Sequence, residues 1–277
     1  LLRMADDAVI DEAVFSSMIE GAFTSREAAA NFLRRDRKPK DKSEQMVKNN
    51  YDALTYALGH LDEEITEDTI VEIARIVTRS AAEEVVEGYR KKQVYVMGRE
   101  DVVYRPPEAA RVPEMMRALA AFIHESERHP VLKACAAHFY LAYVHPFADG
   151  NGRTARALSY MMLIQSGYAF FRYFSISNLV AKERGKYYRA MANVEESEGD
   201  MTYFIDFYSG MLARSVQETY WYNGDSFTSY GDMHNYQQEM LRQNLVDEYY
   251  EKFGESPSAE WLDEQLAKTA TPESAAL

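Results

Sequence analysis

The chain has 277 residues, which at roughly 100–200 residues per domain allows one large domain or two small ones. Hydrophobic residues make up 47% and charged residues 27%, the balance of a folded globular protein, so disordered, collagenous and coiled-coil classes are excluded. With 44 acidic against 31 basic residues the net charge is −13, which disfavours long-range attraction to nucleic acid or an anionic membrane; Cys135 is the single cysteine, so no intrachain disulfide scaffold exists and a cytoplasmic protein is expected.

The N-terminal stretch carries Asp6 and Asp7 in place of a cationic signal-peptide start, and no apolar run reaches the ~18 residues of a membrane span. Ser16-Ser-Met-Ile-Glu20-Gly21 reads as the end of a short helix over about 11–21. Ser16 and Glu20 are one turn apart on one face, and Gly21 suits the left-handed residue that closes a helix. Residues 34–42 hold six basic side chains beside Pro39 and read as a solvated inter-helix loop in preference to a nucleic-acid patch. Val47, Tyr51, Leu54 and Leu58 mark an apolar helix face, as do Ile70, Ile73, Ala74 and Val77. Gln93 to Tyr104 has β-branched and aromatic runs on both sides of a Gly-containing polar turn, the pattern of a β-hairpin, which Pro106-Pro107 ends. Met115, Leu119 and Phe122, then Leu132, Cys135, Phe139 and Tyr143, then Ala157, Met161 and Ile164 mark three further helices. From Gly224 the chain turns polar, with helices expected around 233–250 and 259–268. The expected fold is mainly α, a helical bundle with one hairpin.

Between a helix ending near Val144 and one beginning near Arg153 lies His145-Pro-Phe-Ala-Asp-Gly-Asn-Gly-Arg-Thr-Ala-Arg156. Gly150 and Gly152 let backbone approach an oxyanion, and the first-turn N–H groups of the following helix point at whatever binds there. Arg153 and Arg156 rise three residues apart and suit adjacent phosphates. Asp149 is a hard oxygen ligand of the kind that holds Mg²⁺ together with phosphate oxygens and water. His145 titrates near neutrality and suits a base that takes a proton from an attacking hydroxyl. Pro146 and Phe147 read as loop anchors.

These twelve residues match the motif HPFx[D/E]GNGRxxR, and the chain resembles the Fic family from about Ser16 to about Phe207. The resemblance implies a Fic-type bundle with a hairpin flap. It also implies transfer of AMP from ATP, with Mg²⁺, to a Ser, Thr or Tyr hydroxyl of a target protein bound along the flap (93–105). His145 and Asn151 are then catalytic, Asp149 binds metal, and Gly150, Asn151, Gly152, Arg153 and Arg156 hold phosphates. Val94, Tyr188 and Met191 belong to the nucleotide pocket, where other members often carry Asn near Glu195. His138, seven residues before His145, is read as a packed structural residue.

Ser16 and Glu20 resemble the family's inhibitory motif, [S/T]xxxE[G/N]; the resemblance implies that Glu20 pairs with Arg156 and keeps it from the γ-phosphate. The implied organisation is an N-terminal region with the inhibitory helix (1–42), a catalytic core (43–222) and a polar helical extension (223–277). Removal of AMP by the same site and homodimerisation stay open. Two rivals stay open as well: a phosphotransferase of the same fold, whose branch departs from the motif at the positions of Gly152 and Arg153, and a nucleotide-binding regulator with little turnover.

Overall fold

Polar residues at the starts and apolar stripes along the middles give most of the chain helical structure. The computed structural model describes residues 2–82, 86–97 and 102–219, with Ser258 and Trp261 beyond them. Residues 7–215 make one unit; the other, residues 1–6 with 216–277, lies largely outside the described residues, as do the helices expected around 233–250 and 259–268 apart from Trp261.

Helix α1 (Leu2–Ile19) leads into α2 (Arg26–Arg34), α3 (Lys42–Gly59) and α4 (Glu67–Thr78). Ser25, Asp41 and Thr66 start the last three by accepting the N–H of Ala28, Glu44 and Thr69, which satisfies donors that a helix start leaves free. The basic segment 34–42 is the connection between α2 and α3, where Arg37 sits bidentate on Glu44 at 2.9 Å and holds that carboxyl down at about 2. The hairpin follows: β1 (Val96–Met97) pairs antiparallel with β2 (Val102–Tyr104), Val96 opposite Tyr104. The turn expected between them falls on residues 98–101, outside the described ones. Then come α5 (Val112–Glu125), α6 (Pro130–Val144), α7 (Asn151–Gln165), α8 (Ile176–Lys182), α9 (Arg184–Glu196) and α10 (Thr202–Thr219).

The centre is α7, which packs on α3, α4 and α6; Ala155, Leu158 and Leu163 are fully buried along it. The stripe Ile70, Ile73, Ala74 and Val77 of α4 is buried as expected. Three readings need correction. Helix α1 runs over Leu2–Ile19, a longer helix than the one expected over about 11–21. The buried face of α5 is Val112, Met116, Leu119 and Ile123, not Met115, Leu119 and Phe122. Both stripes have helical spacing, and only the neighbouring helices choose between them. Helix α6 buries Ala134, Ala137, His138, Leu141 and Val144 beside Cys135 and Phe139, while Leu132 stays 39% exposed; a helix inside a bundle is covered on several sides.

Gly150 makes the sharp entry to α7, at φ 81°. A Cβ there would meet Thr78 Cγ2 at 2.7 Å and Val77 Cγ2 at 3.0 Å. Gly150→Ala is therefore expected to cost about 1–3 kcal/mol through backbone strain and overpacking. Urea denaturation measures it, and an unchanged midpoint contradicts it.

Candidate active site

Helix α6 ends in a left-handed residue, His145, at φ 51°, a costly conformation for a side chain other than glycine. Its Nδ1 lies 3.1 Å from Ala142 O. A carbonyl only accepts, so Nδ1 carries the proton and Nε2 keeps a lone pair. Burial pulls the His145 pKa below 6.5, against the opposing pull of the Ala142 hydrogen bond and the Glu20 charge, so the ring is a neutral base at pH 7. The loop beyond it is tied down by Asn151: Oδ1 accepts the Phe147 N–H and Nδ2 donates to Phe147 O, both at 2.9 Å. The Asn151 amide is thus committed to the loop, and Phe147 is fully buried.

Helix α7 starts at Asn151, two residues before the expected point, because Gly150 serves as its N-cap. Its first turn forms an anion cradle around Gly152. Glu20 lies in that cradle: a Cβ added at Gly152 would come 3.0 Å from Glu20 Cδ and 3.2 Å from Arg156 Nη1. Arg156 Nη2 donates to Glu20 Oε1 at 2.8 Å and to Ser16 O at 2.9 Å, and Nε donates to Ser16 Oγ at 2.8 Å. Ser16, Glu20 and Arg156 are therefore together, and Gly21 turns the chain away at φ 90°. Burial would raise the Glu20 pKa, but Arg156, with Arg153 and His145, outweighs it and holds the carboxyl ionised. Arg156 Nη1 is buried with no hydrogen-bond partner, a donor 3.2 Å from where a Cβ at Gly152 would sit.

Arg153 points elsewhere. It is 2% exposed, donates to Val77 O at 2.6 Å at the end of α4 and lies 3.4 Å from Asp149 Oδ1. Asp149 is 47% exposed at its side chain and also accepts the Gly150 N–H at 2.5 Å. Among the described residues no group of three His, Cys, Asp or Glu could hold a metal. One accessible hard carboxylate beside an anion cradle fits Mg²⁺ carried in with phosphate oxygens and water, not a protein cage.

A residue missed in sequence reasoning is Glu12, 3% exposed. It accepts Ser177 N–H at 2.9 Å, Ser175 Oγ–H at 3.0 Å and the Ser177 hydroxyl, tying α1 to the start of α8. Glu12, Ser16 and Glu20 stand at four-residue steps and share one face of the chain entering the site, a spacing that was there to be read. Ile10 and Val14 pack on Phe32 and Val47, and Asn50 Nδ2 donates to Ala13 O at 3.2 Å.

On the α9 side, Tyr188 is 41% exposed and lies close enough to Glu20 and Arg156 to feel both charges; Met191 on the next turn is half-buried. Val94 is half-buried in the hairpin, where its carbonyl accepts from Gln93 Nε2 at 3.3 Å. The hairpin leans on α6 through Tyr104 Oη, which donates to Tyr143 O at 2.6 Å. His138 is fully buried, its Nε2 2.8 Å from Tyr187 Oη and its Nδ1 3.3 Å from Ser159 Oγ, and burial drives its pKa well down.

This loop, cradle and flap sit within or beside residues 64–163, which match the model of the Fic/DOC family. Residues 64–163 carry a Fic/DOC-family domain. The protein adenylyltransferase Fic of Drosophila ananassae is 32% identical over 168 residues, 58% of this chain and 31% of that protein. The Drosophila melanogaster protein of the same name is 31% identical over 141 residues, 50% of this chain and 26% of its own length. The chain thus spans about a third or less of the curated relatives it matches. A Fic family protein from Desulfovibrio desulfuricans G20 superposes with a TM-score of 0.73 at 23% identity, covering 82% of this chain and 69% of that one. A Fic-domain signalling protein from Bacteroides thetaiotaomicron VPI-5482 gives 0.67 at 21% identity over 78% and 87%. These structures establish the Fic fold: mainly helical, with a two-stranded hairpin. Among the described residues no helix is long and apolar enough to cross a membrane.

Proposed function

We propose that this Fic domain transfers AMP from ATP to a Ser, Thr or Tyr hydroxyl of a target protein, and that Glu20 restrains it. The observation that carries this reading is a carboxylate seated in an anion cradle: Glu20 against Gly152 and on Arg156, with Arg156 Nη1 left without a partner. When Glu20 leaves, Arg156 and the α7 first-turn N–H groups receive the β and γ phosphates, and Arg153 supports them from the Val77 side. Mg²⁺ held by Asp149 would supply charge neutralisation across the phosphates. Asn151 keeps the loop in shape through Phe147 while the backbone N–H groups face the charge growing on the α-phosphate. Nε2 of His145 takes the target hydroxyl proton, the oxygen bonds to the α-phosphorus, the α–β phosphoanhydride bond breaks, and pyrophosphate leaves.

The target segment lies on the hairpin, where Tyr95, Met97 and Val103 are more than half exposed and a strand edge is free to pair. Tyr188 and Met191 flank the base. Phosphate transfer is disfavoured because Gly152 and Arg153 are both intact. A low-turnover nucleotide sensor is the second reading, favoured by the same Glu20 contact if it stays closed. Glu20→Gly enzyme supplied with α- or γ-labelled ATP separates these: label on protein from the α position supports AMP transfer, label from the γ position alone supports phosphate transfer, and neither supports the sensor.

The base needs a neutral imidazole, and burial lowers the His145 pKa below 6.5. In Glu20→Gly the acidic inflection of kcat/KM is therefore expected below pH 6.5, the more so because the Glu20 charge that raises this pKa is gone. A kcat/KM profile with its acidic inflection above pH 7 contradicts this.

A further inference from the structure

Arg90 lies outside the motif loop, and the chemistry above gives it no task. The residue is 7% exposed, and its side-chain hydrogen bonds all go to main-chain carbonyls. Nε donates to His145 O at 2.8 Å, Nη1 to Lys92 O at 3.2 Å, and Nη2 to Val144 O at 3.4 Å and to Pro107 O. Its own N–H donates to Pro146 O at 2.8 Å. Burying a guanidinium without a carboxylate is costly. Part of that cost is offset because Val144 and His145 present the last carbonyls of α6, the negative end of the helix. The position of those carbonyls is informative. Two belong to the corner that carries the proposed base, and the other two, Lys92 and Pro107, are the feet of the hairpin. Among the described residues Tyr104 Oη also ties the hairpin to α6 through Tyr143 O at 2.6 Å, and Gln93 Nε2 joins the two feet through Pro106 O at 2.8 Å.

We propose that Arg90 is a positioning residue that brackets both feet of the flap to the His145 corner, and so fixes where a target segment on the flap presents its hydroxyl to His145 Nε2. This rests on reading the flap as the target platform. The planar fork suits the task because its donors diverge in fixed directions, whereas a lysine ammonium keeps the charge but cannot span four carbonyls.

The test compares Arg90→Lys and Arg90→Met with their parent, all in the Glu20→Gly background. Hydrogen exchange is followed over residues 93–106 and over α7, and label transfer from α-labelled ATP to proteins of a cell extract is measured across ATP concentrations. In Arg90→Lys, exchange over 93–106 is expected to rise while α7 is unchanged. Label transfer at saturating ATP should fall about tenfold or more, as a small misplacement of reacting groups does, with the KM for ATP within about twofold of the parent. Arg90→Met should lose more, so that lysine is a partial rescue. Unchanged exchange over 93–106, or a rise in the ATP KM that accounts for the whole loss, overturns the bracket. If the Glu20→Gly parent itself transfers no label, the AMP-transfer reading fails instead, and exchange over 93–106 alone decides whether Arg90 holds the flap.

Discussion

Glu20→Gly is expected to raise AMP transfer by about a hundredfold or more, the scale on which misplacing reacting groups acts. The variant removes the carboxylate that lies against Gly152 and 2.8 Å from Arg156 Nη2. Arg156 is also held by Ser16, through Nη2 to its carbonyl and Nε to its hydroxyl, so it would stay near the cradle and exchange a carboxylate for a phosphate. The effect should appear mainly at the chemical step, because under this proposal ATP meeting an occupied cradle would bind with its α-phosphorus out of line for attack. Transfer measured with α-labelled ATP, equal in the variant and the parent chain, would contradict the brake.

Loss of the base should be as large in the opposite direction. In the Glu20→Gly background, His145→Ala is expected to lower transfer by roughly 10²–10⁴, the usual contribution of a positioned general base. ATP affinity should be little changed, because the phosphates are held by α7 and Arg156 and not by the imidazole. The structure adds a reason for choosing His145 over the other buried histidine: His145 Nδ1 is bonded to Ala142 O and leaves Nε2 available, while both nitrogens of His138 are engaged with Ser159 and Tyr187. Normal transfer by His145→Ala, with calorimetry showing the same ATP binding, would place the base elsewhere.

The loop from His145 to Arg156 and the Ser16–Glu20 step were legible in the sequence because their chemistry is local: glycines, a short spacing and a helix start. What escaped depends on partners far along the chain. Arg153 is legible as a cation beside Arg156, but its bond to Val77 O reaches an acceptor 76 residues away that no spacing announces. Arg90 has acceptors in Val144 and His145 that nothing near it in sequence announces, and only the fold brings it under them. The buried stripe of α5 is offset by one residue from the expected one because two apolar stripes overlap there, and the choice between them is made by α6 and its neighbours.

The net charge of −13 takes on a specific meaning in this site. In the proposed reading an acidic protein captures a polyanion through a concentrated local field, here Arg156, Arg153 and the α7 N–H groups, and one carboxylate placed in that field would close it. The most direct measurement is mass spectrometry of extract proteins after incubation with the Glu20→Gly enzyme and ATP. AMP on Ser, Thr or Tyr side chains, absent with the unsubstituted chain and with Glu20→Gly/His145→Ala, is the predicted result. Phosphate adducts in place of AMP, or a protein pool indistinguishable from the control without ATP, would contradict the account.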